Sequence, residues 1–378
     1  MSGLKDLSNV WQSIKEVDLK PIREEGLQEV NLAVCGRSSQ AKETLMDQMR
    51  HDPNKSSIKT FSPILSIDLE KEDFSKSLLS ADLAILLVDE MAADVSLEQR
   101  FARSWVDNGR KIIIVIYPPV VDGTSDDFPI QGDWAEWGKS RVLNGSLEDK
   151  KFLQRQFVPA VLEAIPGKQL ALGRKFPLFR TQICRQLISE SCFTNAAYAF
   201  STGLAEVVPV VNLPLNVADM MVLSKNQAFL VYRLGLTLGL STRWQDYVTE
   251  FGGVLGSGFL WRQVARQLVG LIPAWGIIPK VAVSYAGTYV VGNVVLQWYL
   301  TGKQLSRRQI SAMYKEAFQR GKGMAGKLAQ RLPKSQKSLK NKGEILLPEN
   351  GVKLCPNCQR TNASDAGFCQ YCGKPFDE

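Results

Sequence analysis

The sequence predicts three successive parts: a doubly wound α/β domain, an all-α apolar domain and a short cysteine-rich ribbon. Apolar runs rich in β-branched residues alternate with helical stretches between Val30 and Pro166, which is typical of an α/β domain. From residue 177 to residue 301 the charged side chains thin out and long apolar stretches follow one another. Four of the seven cysteines lie at or beyond Cys355, in two closely spaced pairs.

Residues 1–29 are predicted to form an amphipathic lead-in helix. Apolar side chains recur there at helical spacing, namely Leu4, Leu7, Trp11, Ile14 and Val17. The opposite face carries charges of both signs, so we expect the helix to pack on the following domain rather than to anchor the chain in a membrane.

Residues 30–166 are predicted to form the α/β domain. The predicted strands are Val30–Cys35, Ile58–Ile67, Leu83–Val88 and Lys111–Tyr117, and the predicted helices are Gln40–Met49, Leu97–Asn108 and Leu147–Ala164. The runs ILLV and IIIVI are continuously apolar, which indicates strands covered on both faces. In such a sheet a ligand binds at the carboxyl ends of the strands.

The first strand–turn–helix segment, NLAVCGRSSQAKETLM, is laid out like a phosphate-binding P-loop. The sequence keeps the first glycine, Gly36, and supplies Lys42 for the outer phosphates. Ala41 replaces the second glycine, and Glu43 replaces the Ser/Thr that would hold Mg²⁺. Thr44 comes one residue late, about 100° around the helix from the required place. The segment keeps the strand–turn–helix layout of a nucleotide site, but it lacks the second glycine and the hydroxyl that would hold Mg²⁺.

Two later segments are ADLAILLVDE (Ala81–Glu90) and KIIIVIYPPVVD (Lys111–Asp122). Together with the first segment, they follow one another in an order that resembles the order of strands and motifs in the small GTPases of the Era/TrmE type. The resemblance covers about residues 30–165 and implies an α/β P-loop-like doubly wound domain that binds GTP and Mg²⁺. Two further positions depart from the family. Lys71 stands where a glycine would meet the γ-phosphate after Asp68, and Tyr117 and two prolines occupy the place of the guanine-reading Asn-Lys-x-Asp.

These departures predict a pseudo-GTPase without catalytic residues. The candidate nucleotide-binding residues are Gly36, Lys42, Thr44 and Asp68. The alternative is a divergent GTP- or ATP-binding NTPase in which Lys42 contacts phosphate and Asp68 or Asp89 holds Mg²⁺. The single histidine, His51, is predicted in a loop and leaves little room for imidazole catalysis.

Residues 176–328 are predicted to form a hydrophobic helical domain, with membrane association as one of two alternatives. No charged side chain lies between Lys280 and Lys303, and residues 268–301 are long enough for a membrane span. One reading is a compact helical domain, soluble or seated on the membrane; the other has one or two true spans. Asn212–Leu240 resembles the GTPase-associated helical domain of unknown function in YcjF-type membrane proteins.

Basic residues are concentrated near the C-terminal part of the chain. The formal net charge is +8, and twelve Lys/Arg with one acidic residue, Glu316, lie between Lys303 and Lys342. Residues 329–351 are predicted to be a basic flexible linker. A solvated charged segment is the plain interpretation, and the alternatives are an anionic membrane surface or nucleic acid. Few aromatic side chains accompany the charges, which disfavours nucleic acid.

Residues 352–378 are predicted to be a zinc ribbon. Its ligands are two C-x-x-C pairs separated by ten residues, Cys355 with Cys358 and Cys369 with Cys372. Four thiolates close the tetrahedral shell of Zn²⁺, so the metal is expected to be structural. The segment resembles short zinc ribbons that dock proteins or nucleic acids.

The reduced cysteines and the lack of a signal peptide predict a cytoplasmic chain, peripheral or integral at the cytoplasmic side of a membrane. The sequence therefore predicts a non-catalytic, GTPase-like, membrane-associated scaffold or adaptor that docks a protein partner through its zinc ribbon.

Overall fold

The computed structural model describes residues 18–70, 80–117, 140–205, 217–247, 277–330, 352–354 and 361–363. Several predictions lie outside the described residues. They are the lead-in helix up to residue 17, the positions from 118 where a guanine-reading motif would stand, parts of the apolar region (206–216 and 248–276), the linker from 331 to 351, and the zinc ligands Cys355, Cys358, Cys369 and Cys372.

The N-terminal half alternates strands and helices. In chain order the elements are α1 (Lys20–Leu27), β1 (Leu32–Gly36), α2 (Ser39–Arg50), β2 (His51–Asp52), β3 (Lys55–Lys59), β4 (Leu65–Asp68), β5 (Leu83–Asp89), α3 (Ser96–Asp107), β6 (Ile112–Tyr117) and β7 (Ser140–Asn144). There follow α4 (Lys150–Phe152), a π-helical turn (Leu153–Phe157), α5 (Val158–Ala164), α6 (Gln169–Lys175) and a 3₁₀ turn (Pro177–Phe179).

Five of these strands form one parallel sheet in the order β4-β1-β5-β6-β7. The chain leaves β1 toward one edge and returns at β5 toward the other, which makes the sheet doubly wound. All five residues of β1 are buried, as are the first six of β5 and the first five of β6. The predicted α/β class is confirmed, and so is the inference that the apolar strands are covered on both faces.

The single predicted strand Ile58–Ile67 is wrong, because this stretch contains two strands in different sheets. β3 pairs antiparallel with β2, whereas β4 joins the parallel sheet. Pro63 lies between them, and proline has no N–H with which to continue a ladder. The Thr60 and Ser62 hydroxyls instead donate to the Lys175 carbonyl oxygen, each at 2.8 Å.

Between residues 180 and 330 the described chain is mainly helical, as predicted. The helices are α7 (Arg180–Ala205), α8 (Val217–Thr237), α9 (Ile277–Thr301) and α10 (Arg307–Gln330). Within the part of the chain that the structure describes, none of the helices combines the length and the hydropathy needed to cross a bilayer. Two short strands, β8 (Val352–Leu354) and β9 (Thr361–Ala363), form an antiparallel pair.

Uncharged polar side chains inside the helical part bond to one another. The Asn195 side-chain amide donates to Thr288 Oγ1 at 2.8 Å, and Thr288 Oγ1 donates to the Ser284 carbonyl oxygen at 2.9 Å. Asn226 donates to Asn195 Oδ1 at 2.7 Å. Asn195 and Thr288 have no exposed surface, so these bonds join α7, α8 and α9 inside the packing.

The chain divides into two units. The α/β unit contains Lys20–Cys184 and also Leu236–Thr242, a segment from within the predicted helical range. The helical unit contains Arg185–Gly235 and the chain from Arg243 onward. In the α/β unit the Arg174 guanidinium donates to the Leu240 carbonyl oxygen at 2.8 Å. Gly173 lies against Thr237, where a Cβ on the glycine would stand 2.6 Å from the threonine methyl. Residues 236–242 are therefore part of the α/β unit's packing.

Candidate nucleotide site at the sheet edge

The candidate site lies where the winding of the sheet reverses, at the carboxyl ends of β1 and β5. Gly36 ends β1 there. A Cβ on Gly36 would stand 3.1 Å from the Leu87 carbonyl oxygen and 3.3 Å from the Leu87 Cβ. Both distances are tighter than ordinary contacts, so Gly36 serves the close approach of β1 to β5.

The turn that follows is short. Only Arg37 and Ser38 separate β1 from α2, which begins at Ser39. Ser38 caps the helix, since its Oγ accepts the Ala41 N–H at 3.2 Å and its carbonyl oxygen accepts the Lys42 N–H at 3.2 Å. In a P-loop, backbone N–H groups of the corresponding loop wrap the phosphates. Here the later residues of that loop, from Ser39 to Lys42, belong to the helix, and the N–H groups of Ala41 and Lys42 have partners.

Three of the four predicted nucleotide-binding residues come together at this edge. Lys42 is 3% exposed, and its Nζ donates to the Ile67 carbonyl oxygen at 3.2 Å, near the end of β4. The register of β1 and β4 pairs Gly36 with Asp68. Asp68 Oδ1 accepts the Glu70 N–H at 3.1 Å.

The fourth predicted residue, Thr44, lies elsewhere on α2. It lines an open groove of about 480 Å³ together with Glu43, Arg50 and Glu148. Neither Gly36 nor Asp68 lines that groove. The structure therefore does not bring Thr44 to the phosphate position, in keeping with its late place in the sequence template.

An ion pair at the same edge was not predicted from the sequence. The Arg37 guanidinium contacts both carboxylate oxygens of Glu98 at 2.9 Å, a two-pronged arrangement. The Glu98 side chain is only 4% exposed, against 33% for Arg37. The available signal was spacing, because Glu98 falls on the same helical face as Phe101 and Trp105, both buried in the core.

Tyr117 ends β6 beside Asp89, its partner in the strand register. Burial raises the pKa of the Tyr117 hydroxyl, the Asp89 charge raises it further, and a hydrogen bond with the Ser38 side chain opposes both effects. A tyrosine thus fills the space beside the β1 turn. Positions 118–120, the rest of the place where the GTPase family would read guanine, lie outside the described residues.

The charge balance of this edge is unfavourable for a nucleotide triphosphate. The four carboxylates of Asp68, Asp89, Asp94 and Glu98 outnumber the three cations of Arg37, Lys42 and Arg100. The pKa of Asp94 is lowered by hydrogen bonds from Ser96, most strongly from its backbone N–H, and by the nearby Arg37 charge. A polyphosphate here would meet an excess of negative charge unless a divalent cation lay between.

No group of three or more His, Cys, Asp or Glu residues in the described ranges is arranged to hold a metal ion. The strands β8 and β9 lie on either side of the first C-x-x-C in the sequence, and Leu354 of β8 pairs with Thr361 of β9. Cys184 and Cys192 of α7 are buried, and burial raises the pKa of the Cys184 thiol to about 12. Such a thiol is poorly suited to metal binding or redox chemistry.

No known protein-family profile matches the chain, and no curated protein matches it significantly. The likenesses to Era/TrmE-type GTPases and to the YcjF-type helical domain therefore stay predictions.

Proposed function

We propose that this chain is a non-catalytic scaffold whose GTPase-like α/β unit does not turn over nucleotide. The observation that supports it most directly is the position of Lys42. Its ammonium is buried and donates to the Ile67 carbonyl oxygen, at the point where a phosphate-binding lysine would be open to ligand. A triphosphate would have to break this bond and enter an edge dominated by carboxylates.

The scaffold is expected to dock a protein partner through its C-terminal ribbon. Support comes from the spacing of the two C-x-x-C pairs and from the antiparallel pairing of β8 and β9 around the first pair. A unit of this length buries too little apolar surface to fold alone, so Zn²⁺ bound by the four cysteines would supply its folding free energy.

A divergent NTPase is the second candidate, because Gly36, Lys42 and Asp68 do converge at the sheet edge. In that case Lys42 would exchange the Ile67 carbonyl for a phosphate, and Asp68 would approach Mg²⁺. The two candidates differ in one measurable property, which is affinity for a Mg²⁺-nucleotide complex.

Isothermal titration of the full chain with Mg-GTP and Mg-ATP, followed by a phosphate-release assay, separates them. The scaffold predicts no saturable binding and no turnover above a buffer blank. Lys42→Met should lower thermal stability, while the exposed control Lys111→Met should leave it unchanged. Micromolar binding with turnover that disappears in Lys42→Met but persists in Lys111→Met would overturn the proposal in favour of the NTPase.

A further inference from the structure

The exposed side of α10 carries a concentration of positive charge. Six Lys/Arg and one acidic residue, Glu316, lie in α10 between Arg307 and Lys327. The opposite side is held in the helical unit by residues that recur every three or four positions, namely Tyr314, Ala317, Gly321, Ala325 and Leu328, all buried. Packing thus fixes which face of the helix points outward.

Three of the outward cations form a row. Arg308, Lys315 and Lys322 are exposed and spaced by seven residues, which places them within about 40° on the helix and about 10 Å apart along its axis. None of them pairs with a carboxylate of the described chain. The Glu316 carboxylate forms an ion pair with the Arg320 guanidinium at 2.5 Å, so it does not neutralise the charge of the row.

The side chains around this row favour one class of partner. Because the row is straight and about 20 Å long, all three of its cations can contact a flat layer of phosphates at once, whereas the phosphates of a nucleic-acid duplex curve away from it. The aromatic rings of α10 are covered: Tyr314 is 3% exposed, and the half-buried Phe318 packs on it with ring centroids 6.1 Å apart and has the Lys322 ammonium 5.0 Å from its ring centroid. Neither ring forms an open platform for stacking bases.

We propose that Arg308, Lys315 and Lys322 bind the phosphate-bearing surface of an anionic phospholipid bilayer. The row lies immediately before five further Lys/Arg between residues 331 and 342, so the charge continues along the chain. Clusters of this kind bind the anionic cytoplasmic leaflet, and each Lys/Arg near the surface strengthens binding about fivefold. The proposal is independent of whether the sheet edge binds nucleotide.

The test is sedimentation of the full chain with vesicles, without nucleotide. Wild type should bind phosphatidylcholine vesicles containing about 30% phosphatidylserine, should not bind pure phosphatidylcholine, and should be released by salt. Arg308→Gln/Lys315→Gln/Lys322→Gln should weaken partitioning by about a hundredfold. The control Arg103→Gln/Lys111→Gln/Lys151→Gln removes the same charge from exposed positions of the α/β unit and should bind like wild type.

Circular dichroism melting of both triple variants checks that each is folded. Failure of wild type to bind phosphatidylserine vesicles would overturn the proposal, as would equal losses in the two triple variants. Salt-sensitive gel shifts of duplex DNA or RNA that the α10 substitutions abolish, with no vesicle binding, would assign the row to nucleic acid instead. Each of these results leaves the nucleotide titration to be decided on its own data.

Discussion

Gly321 of α10 lies so close to Ala282 of α9 that a Cβ on the glycine would stand 2.7 Å from the Ala282 Cα and 3.0 Å from its carbonyl oxygen. The two helix backbones therefore touch, with no side chain between them. Ala317 and Ala325, one turn to either side of Gly321, are also buried. Small residues at four-residue spacing are what such close packing requires.

Gly321→Ala should consequently destabilise the protein by about 1–3 kcal/mol, because the extra methyl forces the helices apart. The control is Gly323→Ala on the same helix, where a Cβ would meet nothing within 4 Å. That change should stabilise by about 0.5–1 kcal/mol, since alanine favours the helix over glycine. Urea unfolding followed by far-ultraviolet circular dichroism measures both, and stabilisation by both variants would contradict the contact.

Thr288→Val should cost about 1–3 kcal/mol of unfolding free energy, because it leaves the buried Asn195 amide without its acceptor. Valine has nearly the same shape, so loss of packing does not explain such a cost. Ser201→Ala is the control, since that exposed hydroxyl only donates to the Tyr198 carbonyl in its own helix. Equal, small effects of the two substitutions would show that the polar contacts between helices are dispensable.

Substitutions of Arg37 and of Glu98 should lower the free energy of unfolding by different amounts. Arg37→Met leaves a nearly buried carboxylate without its partner, at a cost of about 3–5 kcal/mol. Glu98→Gln should cost less, because the more exposed Arg37 can turn toward water. The double variant should be more stable than Arg37→Met alone, a sign that the unpaired charge causes the loss. Chemical unfolding of the three variants tests the order, and equal single losses would refute it.

Tyr314→Phe should reduce the loss of stability at high pH. Burial raises the pKa of Tyr314 to about 12, and its hydroxyl has no hydrogen-bond partner among the described residues. The unfolded tyrosine ionises near pH 10, so above that pH the unfolded state binds fewer protons. Stability should fall between pH 10 and 12. Phenylalanine removes this contribution and should cost nothing at pH 7.

Melting temperatures from pH 7 to 11.5 provide the measurement. The buried Cys184 thiol, with its pKa raised to about 12, should preserve some decline from about pH 9 in both proteins. A variant as sensitive to alkali as wild type would show that Tyr314 is not the group responsible.

Cys369→Ser should remove zinc from the purified chain. Wild type, prepared with reductant, should contain about one zinc per chain by plasma mass spectrometry, because two C-x-x-C pairs complete one tetrahedral shell. Cys192→Ser changes a buried cysteine of α7 and should retain the metal. Zinc-free wild type, or equal retention by both variants, would contradict the ribbon assignment.

Periodicity was sufficient to predict the α/β class, since the runs containing Leu83 and Ile113 are apolar on both faces. Few structures other than a strand covered on both faces of a parallel sheet bury such runs. Periodicity missed the break between Lys59 and Leu65, where the chain passes from one sheet to the other and Pro63 has no N–H for either ladder. The contact of Lys42 with the Ile67 carbonyl was out of reach, because it joins residues 25 apart through the register of β1 and β4. Glu98 was visible as a charge at a core spacing, but its partner was not.

The inclusion of Leu236–Thr242 in the α/β unit bears on how the protein folds while it is being made. A nascent chain released from the ribosome only as far as α7 would hold the whole parallel sheet, yet Gly173 would lack its contact with Thr237 and Arg174 would lack the carbonyl acceptors of Leu236 and Leu240. The surface of this unit closes only after residue 242 has left the exit tunnel. Folding of the first half during synthesis therefore waits for part of the second.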